Sequence, residues 1–360
     1  MIGLMRADRL VAQHVLGASL LALAVFLGID ALSAFVREID EIGNGDYTLT
    51  MAITYVAYTI PRRIYELFPM AAAIGGAMGL GGLAPTSELT ALRAAGWSKQ
   101  RLCAGALLPL LVLALAMFGL GETLAPWGER AAQGVAIGAK SQDLVTSNSS
   151  GIWARDGEDL LNARRGAFIG GAVELIDARL FRFDERGRLQ SITRAEKARH
   201  ESGGWRFSKV QRFRFDAAAV VPEQQTDWRW EVALDPALIA MSVVRPRYQA
   251  MTELRDHIAY LERNGLDSQQ FRSAFWGRLC YPLAVLATAL LAMPFAFSSL
   301  RSGGFGKRLF VGLVISIGFY YLQNAVVTSV ELADGPLPLG YLLSPTLAFA
   351  SAWLWLRRSF

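Results

Sequence analysis

The chain has 360 residues, 53% of them hydrophobic and 19% charged, with 36 Lys+Arg, 31 Asp+Glu, two cysteines and a formal net charge of +5. A mean hydropathy of +0.30 is too high for an ordinary soluble protein, whose charged fraction is nearer about 25%. A disordered chain, a disulfide scaffold and a collagen-like repeat are excluded, and the basic excess is either a phosphate-binding patch or the cytoplasmic bias of a membrane protein.

Crossing about 30 Å of hydrocarbon takes roughly 20 helical residues. Residues 10–36 meet that length, interrupted only by His14 and Asp30. This stretch is too long for a cleavable signal, and no small-residue cleavage site follows it. Residues 67–83 form a second span, approached by an apolar helix over 49–60. Pro61, followed by Arg62 and Arg63, predicts a kink or break at the membrane surface. Residues 102–120, 275–297, 309–330 and 339–356 complete a set of six spans, three on each side of a polar middle. The expected fold is therefore membrane α-helical, with residues 1–124 and 271–360 forming the spans and residues 125–270 an inserted domain.

The short loops set the orientation. Arg6, Arg9, Arg93, Lys99, Arg101, Arg301, Lys307, Arg308, Arg357 and Arg358 face only Asp8 and Glu88, a net of +8. The opposite loops place Arg37 among Glu38, Asp40, Glu41 and Asp46, and hold Glu331 and Asp334. All four basic segments agree, so both termini are expected in the cytoplasm and the middle domain outside. Everything beyond those segments sums to −3, which ties the basic excess to sidedness.

Residues 140–245 alternate with period two between turn signals, as in Leu180-Phe181-Arg182-Phe183, Leu189 to Thr193, Trp205 to Val210 and Trp228 to Val232. Short strands at that spacing predict an antiparallel β-sandwich or jelly roll. Residues 125–270 hold 21 basic and 20 acidic side chains, so no net field draws nucleic acid and the arginines read as a solvated strand face. Cys103 and Cys280 both fall in spans and read as packing residues.

No motif in the chain supports enzymatic chemistry. The run from Gly75 to Gly82 has no Lys-Ser/Thr ending, and Gly306-Lys307 is followed by Arg308, so neither is a P-loop. The Gly75/Gly79 spacing suits close helix approach in lipid. His14, His200 and His257 make no metal-ligand spacing with cysteine. Asp30, Glu66 and Glu122 are candidates as ionisable groups in or near spans. Glu66 and Glu122 also read as interfacial carboxylates paired with Arg62 or Arg63, whereas Asp30 has no evident partner.

Between spans two and three, Pro85-Thr86-Ser87-Glu88 reads as a helix start and Gly96 as its stop. A short helix over residues 86–97 results, with Leu89 and Leu92 on one side. Two readings stand: a helix that docks in the groove of a cytoplasmic protein, or one lying at the headgroups.

Phe68-Pro69-Met70-Ala71-Ala72-Ala73, the glycines up to Gly82, Ser87-Glu88-Leu89 and Ala95-Gly96-Trp97-Ser98 resemble the LptF/LptG family of lipopolysaccharide export permeases. Further motifs extend the likeness over essentially the whole chain: Asp8-Arg9, Gly121-Glu122, Ala125-Pro126, Gly151 to Gly157, Leu189-Gln190-Ser191, Trp276, Pro282 and Leu300-Arg301-Ser302. The tryptophan-bearing strand and the Leu-Gln-Ser step favour the LptG branch. The resemblance implies an ABC exporter of the inner membrane, in which LptF and LptG pair over two copies of the ATPase LptB. Its substrate, lipopolysaccharide, passes through jelly-roll domains to LptC and a periplasmic bridge. It implies that Glu88, with Leu89, Leu92 and Gly96, meets the ATPase, and that ATP and magnesium bind there, with no cofactor in this chain.

Lipopolysaccharide joins phosphates to acyl chains, so its cavity pairs cations with an apolar wall. Arg62 matches a family basic position; Arg37 and Arg63 are further candidates, with Phe68 and Trp276 for the wall. Relatives carry lysines near the outer end of span one, where this chain has Ala34, Asp40 and Glu41. Interfacial snorkelling is the alternative for Arg62 and Arg63. For the whole chain, the alternative to a permease is a membrane-anchored scaffold or mechanotransmitting sensor.

Overall fold

The computed structural model describes residues 2–43, 47–139, 152–156, 158–169, 172–184, 187–201, 204–215, 220–230, 245–297 and 305–358. The helices are α1 (Ile2–Ile39), α2 (Leu49–Gly82), α3 (Glu88–Ala94), α4 (Lys99–Glu122) and α5 (Leu124–Ala139), then α6 (Met251–Arg263), α7 (Gln269–Leu279), α8 (Tyr281–Ala292), α9 (Phe305–Leu332) and α10 (Leu337–Arg358). Between α5 and α6 lie strands β1 (Ile152–Asp156), β2 (Asp159–Ile169), β3 (Ala172–Phe183), β4 (Leu189–Glu201), β5 (Gly204–Phe215) and β6 (Val220–Trp230). Among the described residues, five helical segments are long and apolar enough to cross a membrane, or six when the bent pair α7 and α8 is counted as one span. Leu300-Arg301-Ser302, Gly151 and Gly157 lie outside the described residues.

The chain divides into a helical unit (Met1–Ala34, Thr59–Pro126, Arg272–Phe360) and a second unit (Phe35–Tyr58, Trp127–Phe271) that holds the strands. In the helical unit, α2 is the shared packing partner. A Cβ on Gly75 would stand 2.5 Å from the Ser19 Cα, and one on Gly79 2.5 Å from the Val15 Cα. The backbones of α1 and α2 therefore touch, as the Gly75/Gly79 spacing predicts. Gly312 of α9 closes in the same way on Ile74 of α2, where a Cβ would meet the Ile74 Cα at 3.1 Å. Val11, Val15, Phe68, Leu80, Leu83, Leu102, Leu110 and Val285 fill the apolar interior of this unit.

One proline expectation needs correction. Pro61 neither ends nor breaks a helix, since α2 runs through Pro61 and Pro69. The Arg63 Nε donates to Thr59 Oγ1 at 2.9 Å and so bridges the turn that the proline weakens. The fourth span, in contrast, is broken: α7 and α8 meet at 57° around Cys280, just before Pro282 at the first turn of α8. The proline ring crowds the carbonyl of the residue four before it and lacks an N–H, and here the bend follows.

The strands form one antiparallel sheet in the order β1-β2-β3-β4-β5-β6. The hairpin from β3 to β4 turns at Gly187, whose φ is +74°, as its turn signal predicts; Glu231 and Val232 lie outside the described residues. One row drops out of the pairing across five strands: Arg164, Asp177, Glu196, Lys209 and Thr226. Asp177 and Lys209 there take left-handed φ of 51° and 53°. Across this row the buried face changes parity, with Ala178 and Leu180 buried on one side and Leu175 on the other, and Val210 answered by Phe207 and Trp205.

That row is a crease. In a flat sheet, the registers of β2 to β6 would set Asp159 and Trp230 roughly 36 Å apart, from strand spacing and rise. Yet the Trp230 Nε1 donates to Asp159 Oδ2 at 2.9 Å. The sheet is therefore doubled over, and its two halves enclose Leu161, Leu175, Leu180, Trp205, Phe207 and Trp230. A two-layered β domain was expected; its making from a single folded meander was not. Arg182 holds both oxygens of Asp159 at 2.7 Å, and this bonding raises the Arg182 pKa above the ordinary arginine value.

Two outcomes test this packing. Gly79→Leu forces a side chain into the α1 backbone and should cost at least about 3 kcal/mol, at or above the usual range for overpacking. Gly17→Leu, at a glycine with open space around it, should leave the detergent melting temperature nearly unchanged. Asp159→Ala should destabilise the β domain by about 2 kcal/mol, for the loss of a buried hydrogen-bond partner, with a red shift of tryptophan emission as the Trp230 indole is released.

Candidate functional site

α3 sits in a tightly specified loop. Ser87 takes φ 60° and makes no side-chain cap, contrary to its reading as a capping residue. The helix start is instead fixed by Leu89 N donating to Leu83 O at 2.9 Å and Ala91 N to Ser87 O at 2.9 Å. The end is a glycine stop as predicted: Gly96 has φ 89°, its N–H donates to Arg93 O at 3.0 Å, and Trp97 N donates to Leu92 O at 3.1 Å. Ser98 then caps α4 by accepting from Arg101 N at 3.2 Å.

The faces of α3 divide clearly. Leu89 is buried and Leu92 half-buried, both against the apolar interior of the helical unit with Trp97. They seat the helix on its own unit, which corrects their reading as residues offered to another protein. Thr90, Ala91, Arg93, Ala94 and Ala95 are exposed. Glu88 is half-buried, and among the described residues its Oε2 has no hydrogen-bond partner.

Within α2, Arg62 Nη1 pairs with Glu66 Oε2 at 3.2 Å, one of the pairings expected for Glu66. Arg63 is 7% exposed and binds both Thr59 and Asp30. This supplies the partner that Asp30 lacked in the sequence, 33 residues away. An arginine so enclosed cannot present its charge to a ligand, so its candidacy as a phosphate contact is withdrawn. Phe68 is fully buried within the helical unit and forms no wall of an open volume. Trp276 is half-buried, edge-on to Phe275 with centroids 5.9 Å apart. Arg37 is exposed on the last turn of α1.

Sequence reasoning missed Arg278. It is buried at the end of α7 and donates to the Gly121 carbonyl at 2.7 Å and to Glu122 Oε1 at 2.8 Å. Its guanidinium carbon lies 5.5 Å from the Tyr65 ring centre, and Tyr65 stacks on Tyr281 at 4.1 Å. Glu122 therefore pairs with Arg278. The available signal was a lone arginine inside an apolar run, which demands a partner. Gly121 admits this junction because a Cβ there would stand 2.6 Å from the Tyr65 ring. Among the described residues no group of three or more His, Cys, Asp or Glu is placed to hold a metal.

Comparison with known proteins places this arrangement. The family described as the lipopolysaccharide export system permease LptF/LptG matches residues 9–358. The chain belongs to this family. The lipopolysaccharide export system permease protein LptG of Haemophilus influenzae is 28% identical over 97% of each chain. The LptG protein of Escherichia coli is 28% identical over 98% of each. The chain is thus a multi-pass membrane permease of the LptG type, with a β domain inserted between its third and fourth spans.

A double-mutant cycle tests the Asp30–Arg63 ion pair. Asp30→Ala strands the Arg63 charge and should lower stability by about 3 kcal/mol. Adding Arg63→Leu should recover most of that loss, read from melting temperatures in detergent.

Proposed function

We propose that this chain is the LptG-type half of an inner-membrane ABC exporter that lifts lipopolysaccharide out of the membrane and sends it towards the outer membrane. In this reading it pairs with LptF over two copies of LptB, and delivers its substrate to LptC and the periplasmic bridge. Both termini are cytoplasmic and the β domain is periplasmic, in keeping with the basic loops. The observation that carries the reading is the fate of the glycine-rich run. Gly75 and Gly79 are spent on contact with α1, inside a span, so nothing there cradles a nucleotide. Energy then comes from a partner that binds ATP and magnesium, and a short loop helix between two spans is the part suited to receive it.

The residues divide into roles accordingly. Glu88 and the exposed side of α3 meet the ATPase, while Leu89, Leu92 and the Gly96 stop hold the helix at a fixed angle. Closing the ATPase displaces α3, and α2 carries that displacement along its length. Arg62 is the cation best placed on α2 to meet a lipid phosphate, which competes with Glu66 for the guanidinium. Trp276 offers an apolar surface for acyl chains.

Depletion of the protein should stall newly made lipopolysaccharide at the inner membrane, measured by membrane fractionation. Glu88→Lys should abolish copurification of the ATPase while leaving the permease in the membrane. If no ATPase copurifies with the intact chain from native membranes, the exporter reading fails. A photocrosslinker at position 62 should label lipopolysaccharide. Labelling of bulk phospholipid alone would remove Arg62 from the cavity.

A further inference from the structure

Gly81 and Arg308 form a junction that none of the roles above uses. Arg308 stands on the first turn of α9 and is half-buried. Its Nη1 donates to the Gly81 carbonyl at 2.7 Å. Gly81 is buried, and a Cβ on it would lie 2.7 Å from the Arg308 Cδ and Nε, so the arginine fills the space that glycine leaves. The carbonyl it takes belongs to the last turn of α2, where helix C-terminal oxygens lack helical partners and favour a cation. The same carbonyl accepts Ala84 N at 3.3 Å in the turn that leads into α3.

The far end of the loop has a weaker counterpart. Arg101 binds Asp8 at 3.0 Å, but its side chain is 52% exposed and that of Asp8 39%. Surface pairs of that kind contribute little. A charge-assisted bond to an enclosed carbonyl is the stronger tie, so the firm connection from the loop runs to α9.

We propose that Arg308 is a positioning residue for energy coupling, which locks the start of α9 to the end of α2 so that displacement of α3 moves both spans as one. This deepens the exporter reading and rests on it. With the lock in place, a push on α3 reaches α9 without passing through the rest of the helical unit. Without it, the ATPase still docks and turns over, but α9 lags.

The test uses the full complex, coexpressed with its ATPase and partner permease and placed in liposomes with lipopolysaccharide. Arg308→Gln should leave ATPase copurification intact and ATP hydrolysis near that of the parent, while lipopolysaccharide delivered per ATP falls about tenfold, the scale of one charge-assisted bond. Arg308→Lys keeps the charge without the fork and should fall between the two. Unchanged delivery per ATP overturns the proposal, and so does loss of the ATPase, which would make Arg308 a docking contact. A second readout needs no substrate. Spin labels at Gly82, where an added side chain meets open space, and Phe310, both exposed, in a background lacking Cys103 and Cys280, should give one narrow distance that broadens on Arg308→Gln. If it stays narrow, the lock fails. If the parent complex delivers no lipopolysaccharide but the distance broadens, the exporter reading fails and the lock stands.

Discussion

The helical unit depends on the absence of side chains along one stretch of α2. In lipid there is no hydrophobic gain from bringing two helices together, so association rests on packing and polar contacts. Gly75 and Gly79 let α1 lie against the α2 backbone, and Ile74 on the same helix receives Gly312 of α9. A helix that must touch two neighbours at backbone range has few residues to spare for anything else. This gives Gly75 and Gly79, in a glycine run that superficially suggests phosphate binding, a packing role.

The ionic contacts follow a consistent plan around that helix. Asp30 and Arg63 join α1 to α2, Arg278 and Glu122 join α7 to the end of α4, and Arg308 joins α9 to α2. Each links elements far apart in sequence, and each pairs a charge with an opposite charge or a helix-end carbonyl, as a low-dielectric setting requires. The bend at Cys280 lies beside one of these links, since Arg278 stands two residues before it and Tyr281 one after, with the Tyr281 hydroxyl donating to the Tyr65 carbonyl at 2.8 Å. The break is held by side chains on both sides.

Much of this was legible in the sequence, and the rest was hidden for identifiable reasons. Spans and strands announce themselves through apolar length and period-two alternation, and Gly96 announces a helix stop because glycine takes the left-handed turn without a Cβ penalty. Pro61 misled because its local rule omits the Arg63–Thr59 bond that spans it. Arg63 as the partner of Asp30 and Arg278 as a partner of Glu122 were hidden because they lie 33 and 156 residues distant, and no local pattern reports such distances. Leu89 and Leu92 were rightly placed on one side of α3, but a helical wheel cannot say whether that side faces the chain's own interior or a partner. Phe68 was recognised as apolar, and only packing shows that it is fully enclosed.

The crease in the β domain bears on how the protein is made. Among the described residues every strand pairs only with its neighbour in sequence, so hairpins can form in order as the chain appears, with short loops to close and little entropy lost in each. Such local topology favours rapid folding, and no strand waits for a distant mate with its edge exposed to aggregation. One long-range step remains, the closing of Trp230 onto Asp159 across 71 residues. The left-handed residues at Asp177 and Lys209 set the bend before that step occurs. A domain built this way can mature while the last three spans are still being synthesised.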